Sequence, residues 1–526
     1  MSAAEKTARD VELAVDMRGI SKVYPNGIAA NRNVDFSVRK GEIHALIGEN
    51  GAGKSTLVKM LFGMEQPTVG DIFINGEKTE LSSPAEAIKH GIGMVHQHLM
   101  LVPSLTVAEN MVLGMPPKKG IAIDYDEAVR MTTEIAERYH FKIDAEKRVM
   151  DIPVGMKQKV EILKALLRGA RILILDEPTA VLTSNETVEL FHELHNLRDE
   201  GFTIIFISHR LNEIKELTER MTIMRGGRSM GVYETAHISE QEISRLMVGR
   251  DVVLQLEKDE AQPKEVVLAV NDVSHTNEWN KLVLNNVSFN VRAGEIVGIA
   301  GVEGNGQREL VDILFGLREA HTGEVTVNEE SILGLGQREI RRKGVSLIPE
   351  DRMLYGIAAR GSITDNIIAD RFESIKYNSG PFFKTKKIYE DTDKLIQEYR
   401  IVARNQTQEV EMLSGGNIQK VVVAREFSSE PDLIIADQPT RGIDVGATEF
   451  IRKRLVELSR EGAAVLLVSA DLSEVMEMSD RLLIFYGGEI AACFDDTDTV
   501  TDEVMGEYML GLRRQDDEKI EEAAYV

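Results

Sequence analysis

The segment GENGAGKST, from Gly48 to Thr56, has the residue types and the spacing of a loop that wraps around nucleotide phosphates. Its glycines let backbone N–H groups turn inward onto phosphate oxygens, while Lys54 can reach the β- and γ-phosphates. The hydroxyl group of Ser55 can bind Mg²⁺, and the helix predicted to begin here adds the positive end of its dipole. The residues predicted to hold the phosphates are Gly48, Glu49, Asn50, Gly51, Ala52, Gly53, Lys54, Ser55 and Thr56.

A pair of carboxylates ends the apolar run ILILDE, from Ile172 to Glu177. The run is predicted to be a strand, and Asp176 at its end would belong to the coordination shell of Mg²⁺. Glu177, one residue further, would polarise the water that attacks the γ-phosphate. Strands that end in Asp-Glu are common, so this pair is a weak indication by itself. It becomes a strong one together with the phosphate loop in the same half of the chain. Together the two motifs predict hydrolysis of a nucleoside triphosphate.

The elements that position these residues occur twice. The segment GEIHALIGENGAGKSTLVKMLFG begins at Gly41, and its counterpart GEIVGIAGVEGNGQRELVDILFG begins at Gly294, 253 residues later. A second pair of matching segments, RILILDEPTAVLT and DLIIADQPTRGID, begins at Arg171 and Asp432. The chain is therefore a tandem duplication. The predicted parts are a first domain at 1–255, a short polar linker at 256–266, a second domain at 267–515 and an acidic, solvated tail at 516–526.

Each copy alternates β-rich apolar runs with amphipathic helical segments, which predicts an α/β fold with a mainly parallel sheet. Between about Val102 and Gly155 the pattern is more helical, and the apolar runs typical of buried strands are missing. This stretch is therefore predicted to be an inserted helical subdomain.

The composition limits the class of protein further. A length of 526 residues predicts at least two domains, and 43% hydrophobic with 28% charged residues is typical of a soluble globular chain. The formal net charge of −24 argues against a broad nucleic-acid footprint, which is usually basic. The single Cys493 cannot form an internal disulfide and fits a reducing compartment. Because the chain shows neither a secretory signal nor an apolar run of roughly 18 residues, any membrane role is expected to depend on a partner.

These motifs together resemble the ATP-binding cassette family of transport ATPases over nearly the whole chain. The resemblance implies two P-loop cassettes, each with a mainly parallel core sheet, an antiparallel β part and an inserted helical subdomain. It implies ATP and Mg²⁺ as cofactors, with Tyr24 stacking on adenine, Gln97 as a further metal ligand and His209 as a catalytic residue. A signature segment of the LSGGQ type is nearly intact in the second copy, at Leu413 to Asn417, and eroded in the first, at Ile152 to Met156.

In this family two cassettes pair head to tail, so that each nucleotide lies between the phosphate loop of one cassette and the signature of the other. The resemblance implies that the first of the two sites is complete. Its parts would be Tyr24, the loop from Gly48 to Thr56, Gln97, Asp176, Glu177 and His209 from the first copy, with Ser414, Gly415, Gly416, Asn417 and Asp444 from the second.

The second site would be degenerate. The lysine, serine, glutamine, glutamate and histidine of the first site are replaced in it by Gln307, Arg308, Glu350, Gln438 and Ala470. The first-copy residues that would complete it, Pro153 to Met156 and Thr183, have also diverged. The losses thus follow one site and not one domain, which predicts that the second copy is retained to complete the first site.

The resemblance implies an ATP-hydrolysing subunit that powers an importer. A consensus first half with a degenerate second half containing IPEDR, Ile348 to Arg352, resembles bacterial uptake systems for simple sugars. The segment Gly93 to Gly114 and Pro153 resemble most the nucleoside-uptake branch. The implied partners are two membrane-spanning permease subunits and, indirectly, an extracytoplasmic solute-binding protein. The protein would bind peripherally at the cytoplasmic face of the cell membrane, and no nucleic-acid partner is expected.

Two alternatives remain open. A soluble twin-cassette ATPase acting on ribosomes or DNA would usually carry two competent sites and a long charged linker or inserted metal modules, unlike this chain. A regulatory ATP-binding protein without turnover would not need Glu177 and His209. The histidine pairs His96/His98 and His192/His195 have metal-like spacing, but without cysteine or carboxylate companions at fitting distances they do not favour a zinc site.

Overall fold

A computed structural model of the chain describes residues 12–525 except 26, 28, 97, 98, 120, 121, 180, 181, 183, 209, 250–257, 278, 279, 303, 498 and 499. The chain divides into two compact units, 1–252 and 253–526. Each unit contains a six-stranded, mainly parallel sheet and a four-stranded antiparallel sheet, which confirms the predicted fold class. Among the described residues, no helix is both long enough and apolar enough to cross a membrane.

The core sheet of the first unit has five parallel strands and one antiparallel edge strand. In spatial order they are Arg228–Glu234, Arg220–Arg225, Ile43–Gly48, Thr203–Ile207, Ile172–Asp176 and Ile92–Val95. Thr203–Ile207 is buried throughout and lies between Ile43–Gly48 and Ile172–Asp176. Because the carboxyl ends of parallel strands meet at the same edge of a sheet, this order brings the phosphate loop and Asp176 to one edge.

The antiparallel sheet of the first unit covers the helix that follows the phosphate loop. Its strands in spatial order are Ala29–Arg39, Leu13–Val23, Val69–Ile74 and Glu77–Lys78. Met17, Phe36 and Ile72 of this sheet form one hydrophobic cluster with Leu57 and Leu61 of the helix. The α-helices of the unit are Lys54–Leu61, Pro84–Lys89, Val107–Met111, Tyr125–Arg138, Val154–Leu167, Ser184–Asp199, Leu211–Leu217 and Glu240–Val248, with 3-10 turns at Val149–Asp151 and Thr235–His237 and a two-stranded sheet of Lys118–Lys119 and Ala122–Ile123.

The second unit repeats this architecture. Its core sheet has the spatial order Val345–Ile348, Leu433–Asp437, Ala464–Val468, Ile296–Gly301, Arg481–Tyr486 and Glu489–Phe494. Its antiparallel sheet has the order Leu282–Arg292, Val266–Thr276, Thr322–Val327 and Glu330–Ser331. Its α-helices are Gln307–Leu314, Gln337–Arg342, Ile363–Ile368, Thr385–Glu398, Gly415–Phe427, Val445–Glu461, Leu472–Met478, Asp502–Met509 and Asp517–Ala524, with a π-helical turn at Arg352–Gly356, a 3-10 turn at Val410–Met412 and a two-stranded sheet of Asn378–Ser379 and Phe382–Phe383.

The inserted helical segment begins with the same pair of capping hydrogen bonds in both units. The Thr106 hydroxyl accepts a hydrogen bond from the Glu109 backbone N–H, and the Glu109 carboxylate accepts one from the Thr106 N–H. Ser362 and Asp365 repeat this exchange in the second unit. Such a capping box satisfies two donors at a helix start, so a helix is favoured where the core strands are interrupted. The predicted helical insertion is confirmed.

The acidic C-terminal segment is not a solvated tail, contrary to the expectation from its charge. It forms the helix Asp517–Ala524, whose Ile520, Ala523 and Ala524 are buried in the core of the second unit. A guanidinium nitrogen of the buried Arg481 donates to the carbonyl oxygen of Ala523 at 3.1 Å. The three apolar residues are spaced i, i+3 and i+4 and therefore share one helix face, a pattern that the surrounding acidic residues concealed.

The described part of the predicted linker lies against the second unit. The Lys258 ammonium nitrogen is 3.4 Å from a carboxylate oxygen of Asp480. The Lys264 backbone N–H donates to the carbonyl oxygen of Ala293 at 2.9 Å. Residues 258–264 therefore belong to the second unit and do not form a separate segment.

Candidate nucleotide site

The phosphate loop of the first unit joins the strand Ile43–Gly48 to the helix Lys54–Leu61. Gly51 and Gly53 have φ angles of 84° and 98°, a left-handed conformation that glycine adopts without strain. A side chain at Gly53 would place its Cβ 2.4 Å from the carbonyl oxygen of Ala30. Backbone conformation and lack of space therefore both require glycine in this loop.

Lys54 is buried within the loop, with 5% of its surface exposed. Its ammonium group donates to the carbonyl oxygens of Gly48 at 2.6 Å and Glu49 at 3.1 Å. These contacts hold the charge at the centre of the loop, where phosphate oxygens would bind. The hydroxyl oxygens of Tyr24 and Thr56 are 3.4 Å apart, so the residue predicted to stack on adenine lies beside the loop.

Asp176 and Glu177 lie together at the end of a core strand. Burial and the neighbouring carboxylate of Glu177 raise the pKa of Asp176 to about 6, while Lys54 and Lys59 oppose this shift. A carboxylate in such a setting is stabilised by a further cation. The carboxylate of Asp176 and the exposed hydroxyl of Ser55 are oxygen donors of the kind that Mg²⁺ accepts together with nucleotide phosphates, so these residues fit the ion.

Glu177 has a left-handed backbone, with φ of 48°, which is unusual for a residue other than glycine. Its N–H donates to the carbonyl oxygen of Ile207 at 2.9 Å. Gln438, at the matching position of the second unit, has φ of 50° and donates to Val468 at 2.8 Å. This conformation costs about 1–3 kcal/mol and persists only where the surrounding structure fixes it. Its presence in both units shows that the cassette frame imposes it.

A buried carboxylate that the sequence analysis missed organises the segments around Glu177. Glu213, 4% exposed, accepts hydrogen bonds from the hydroxyl groups of Thr179 at 2.8 Å and Ser208 at 2.7 Å. Thr179 lies two residues after Glu177, and Ser208 lies one residue before the predicted catalytic histidine position. Glu213 therefore links the two segments that carry the candidate catalytic residues.

The second unit has the same link. Glu474 accepts from the hydroxyl groups of Thr440 and Ser469, each at 2.7 Å. The segments SHRLNEI and SADLSEV carry Glu213 and Glu474 at the same position. Comparing the sequences of the two halves of the chain could therefore have identified this residue.

The near-intact signature of the second unit forms a compact polar cluster. Ser414 occupies the N-cap of the following helix, and its hydroxyl accepts a hydrogen bond from the Asn417 amide at 2.8 Å. The Asn417 side-chain oxygen accepts from the Val402 backbone N–H at 2.7 Å. A Cβ on Gly416 would lie 2.6 Å from a carboxylate oxygen of Asp444. The structure thus brings four of the predicted signature-side residues together.

The eroded signature of the first unit keeps the helix but not these groups. Pro153 occupies the N-cap and makes no side-chain capping bond. Proline has neither a hydroxyl nor a backbone N–H to offer to a phosphate. A Cβ on Gly155 would lie 2.4 Å from a carboxylate oxygen of Glu186, so glycine is required here for close contact.

The loop of the second unit keeps its shape without a lysine. Gly304 and Gly306 have φ angles of 94° and 103°, close to those of the matching glycines in the first loop. Gln307 is 9% exposed, and its amide donates to the carbonyl oxygen of Val302 at 3.4 Å. A neutral side chain thus makes the kind of internal contact that Lys54 makes in the first loop.

Three predicted positions, Gln97, His209 and Thr183, lie outside the described residues. Within the described parts of the chain, no group of three or more His, Cys, Asp or Glu side chains could hold a metal ion by itself. The roles of the individual site residues stay predictions.

The fold and the two loops define the chain as an α/β P-loop protein with two nucleotide-binding cassettes. Residues 31–180 and 284–441 match the family model described as ABC transporter. The chain therefore belongs to the ABC transporter family, and it has the ATP-binding cassettes of that family. The predicted family and the predicted class of enzyme, an ATPase coupled to transport, are confirmed.

Relatives match over almost their whole length. The guanosine import ATP-binding protein NupO of Bacillus subtilis is 43% identical, covering 96% of this chain and 99% of that protein. The nucleoside import ATP-binding protein NupA of Lactococcus lactis is 41% identical, covering 95% and 98%. The ribose import ATP-binding protein RbsA 1 of Rubrobacter xylanophilus is 40% identical, covering 94% and 97%.

The similarity to a solved structure also extends over both cassettes. An archaeal ribosome recycling factor, crystallised with the ribosomal stalk protein aP1, matches 97% of this chain and 99% of its own, with a TM-score of 0.61 and 18% identity. At this identity the similarity shows the fold alone.

Proposed function

We propose that the chain is the ATP-hydrolysing subunit of an importer for nucleosides, with simple sugars as the second candidate class of solute. The observation that carries this proposal is the match, at 40–43% identity and over nearly full length, to relatives named for guanosine, nucleoside and ribose import. Its partners would be two membrane-spanning permease subunits and, through them, an extracytoplasmic solute-binding protein. The protein would work at the cytoplasmic face of the membrane.

The first cassette has the groups that ATP hydrolysis requires. The backbone of the loop from Gly48 to Thr56 and the ammonium group of Lys54 would bind the phosphates. Ser55, Gln97 and Asp176 would hold Mg²⁺, which supplies charge neutralisation at the phosphates when bound. Glu177, which its fixed backbone holds in place, would accept a proton from the attacking water. His209 would orient the γ-phosphate side of the site.

The second cassette would contribute its signature residues to the nucleotide that is bound by the phosphate loop of the first cassette. Ser414, Gly416 and Asn417 form a cluster at a helix N-terminus, where hydroxyl and N–H groups can meet phosphate oxygens. The matching cluster in the first cassette has lost these groups at Pro153. This asymmetry supports one competent ATP site per chain, completed by the second signature and Asp444.

Membrane recruitment separates this function from its rival. We expect the protein to sediment with membranes when its permease subunits are present and to move to the supernatant when the permease genes are deleted. Uptake of labelled guanosine and ribose in the same cells would decide the solute class. The net charge of −24 disfavours binding to ribosomal RNA. Co-sedimentation with ribosomes that persists without the permease genes would favour the rival, a soluble ATPase of translation.

Restoring the lysine of the second loop is not expected to revive a second active site. Gln307→Lys returns one charge but leaves Arg308 in place of the metal-binding hydroxyl and Gln438 in place of the base. Pro153 still cannot clamp a phosphate. Catalytic groups that act as a unit are non-additive, so one restored member gains little. In a Glu177→Gln background, Gln307→Lys should show no ATPase activity above that background, and measured turnover would mean that the lysine was the only defect.

A further inference from the structure

The small hairpin before the helix Thr385–Glu398 of the second unit exposes large apolar side chains. Ile375, which precedes the hairpin, is 86% exposed, and Phe382 in its second strand is 74% exposed. Phe372, Ile375 and Phe383 line one cavity of about 510 Å³, so these three side chains belong to one surface. Exposed apolar side chains that are grouped, unlike scattered ones, mark interaction sites. These four residues are called the hairpin patch below.

Four lysines lie within the hairpin segment or directly after it, at Lys376, Lys384, Lys386 and Lys387. The Lys384 ammonium group donates to the carbonyl oxygen of Ile375 at 2.8 Å, which places positive charge against the hairpin patch. Lys376 and Lys387 share one carboxylate, that of Asp391, each with an N–O distance of 2.8 Å. Two cations thus meet one anion, in a chain whose formal net charge is −24.

The acidic residue inside the segment, Glu373, is also outnumbered by cations. Its carboxylate forms ion pairs with the guanidinium groups of Arg338 and Arg342, which belong to the helix Gln337–Arg342. Counting the groups joined by these contacts together with Lys384 and Lys386, four lysines and two arginines face two carboxylates. The hairpin patch therefore lies in a local excess of positive charge.

The matching helix of the first unit, Tyr125–Arg138, begins with the opposite charges. Asp124 is its N-cap and accepts a hydrogen bond from the Glu127 N–H at 3.1 Å, and Asp126 and Glu127 lie in its first turn. The same three positions of the second unit are occupied by Lys384, Lys386 and Lys387. The N-terminus of a helix carries partial positive charge, which favours carboxylates and disfavours ammonium groups. The lysines therefore do not serve the stability of the helix, and an anionic partner would compensate them.

We propose that the hairpin patch binds the anionic lipid surface of a membrane, with its aromatic side chains among the headgroups and the lysines against lipid phosphates. Phe382 and Phe383 stand where the first unit has Ala122 and Ile123. Aromatic side chains combined with clustered lysines suit an anionic lipid interface. Protein interfaces, in contrast, are depleted in lysine. The composition of the segment thus favours lipid over a protein partner.

The proposal rests on the proposed function in one respect: import places this chain at the cytoplasmic face of a membrane. One small patch binds a membrane weakly and reversibly by itself. Lipid contact should therefore add to permease binding without replacing it, because the second contact of an already docked protein is intramolecular. The expected release of the protein from membranes that lack the permease agrees with this.

Vesicle binding tests the proposal. The full-length protein is mixed at low salt with vesicles of phosphatidylglycerol and phosphatidylcholine, or of phosphatidylcholine alone, and co-sedimentation is measured. We expect binding to the anionic vesicles only, and its loss at raised salt. Lys384→Asp combined with Lys386→Asp should weaken this binding roughly tenfold or more, and Phe382→Ser combined with Phe383→Ser should weaken it as well. Equal binding to the neutral vesicles, or none to the anionic ones, would overturn the proposal.

The matched control carries the same change of charge elsewhere. Lys142→Asp combined with Lys147→Asp alters two exposed lysines of the first unit and should bind vesicles like the wild type. An equal loss in this control would show that net charge and not the hairpin patch governs binding. Hydrogen exchange of the helix Thr385–Glu398 should become slower in the variant with aspartate at positions 384 and 386, because carboxylates suit a helix N-terminus. Weaker vesicle binding with slower exchange separates lost lipid contact from lost structure, and faster exchange would contradict the proposal.

Neutral vesicles that carry the permease subunits separate lipid from a protein partner. We expect the lysine and phenylalanine variants of the hairpin segment to bind these vesicles like the wild type. Weaker binding of the variants there, with unchanged binding to anionic lipid, would assign the hairpin patch to the permease and overturn the proposal. Failure of the wild type to bind the permease would instead contradict the proposed function, while binding to anionic vesicles without permease would still support the lipid contact.

Discussion

Replacing Glu177 by glutamine is expected to stop ATP hydrolysis in the assembled transporter, with a loss of roughly 10²–10⁴-fold, the usual cost of a missing general base. Glutamine keeps the size of the side chain but cannot accept the proton as a carboxylate does. The backbone at this position is held by the hydrogen bond to Ile207 and should not move. ATP binding should therefore survive, and the variant should accumulate in an ATP-loaded form.

The matched control is the mirror position in the second cassette. Gln438 has the same left-handed backbone, and its side-chain oxygen accepts a hydrogen bond from the Ala470 N–H at 3.1 Å. Gln438→Glu keeps an acceptor there and should leave turnover unchanged. Turnover is measured as steady-state phosphate release, and accumulation of the ATP-loaded form is measured as retained radiolabelled ATP. Near-normal turnover in Glu177→Gln, or a loss in Gln438→Glu, would contradict the assignment of the base.

The parts of the site that depend on a local pattern could be predicted from the sequence. The loop glycines are required by backbone conformation, and Gly53 confirms this, because its φ is 98° and a Cβ atom there would lie 2.4 Å from a carbonyl oxygen. Buried parallel strands are continuous apolar runs, so ILILD could be recognised directly. The repeat spacing then placed the second-copy counterparts without further information.

The parts that depend on tertiary contacts could not be predicted. The fixed backbone of Glu177 comes from a neighbouring strand, and the role of Glu213 depends on the hydroxyl group of Thr179, which is 34 residues away in sequence. The helix Asp517–Ala524 is strongly acidic, and only its contact with the core of the second unit makes Ile520 a buried residue. The charge of this segment alone predicted a solvent-exposed tail, because the three apolar residues of one face are outnumbered by acidic neighbours.

Replacing Ser414 by arginine is expected to abolish hydrolysis at the site of the first cassette, although Ser414 belongs to the second. The Ser414 hydroxyl would donate to the γ-phosphate most strongly as charge shifts in the transition state, and loss of one such donor typically costs about 10²–10³-fold. An arginine adds bulk at the helix N-cap and breaks the 2.8 Å contact with Asn417. The phosphate loop of the first cassette is unchanged, so ATP should still bind there.

The mirror substitution decides whether the two signatures differ in function. Pro153 is exposed at the N-cap of its helix and offers neither a hydroxyl nor an N–H, so Pro153→Arg should change hydrolysis much less than Ser414→Arg. ATP binding is measured by fluorescence of a nucleotide analogue, and hydrolysis by phosphate release, in the same preparations. Hydrogen exchange of the helix Gly415–Phe427 checks that Ser414→Arg folds. Equal losses at Ser414 and Pro153 would refute the division into one complete and one degenerate site, because a degenerate site has no catalysis to lose.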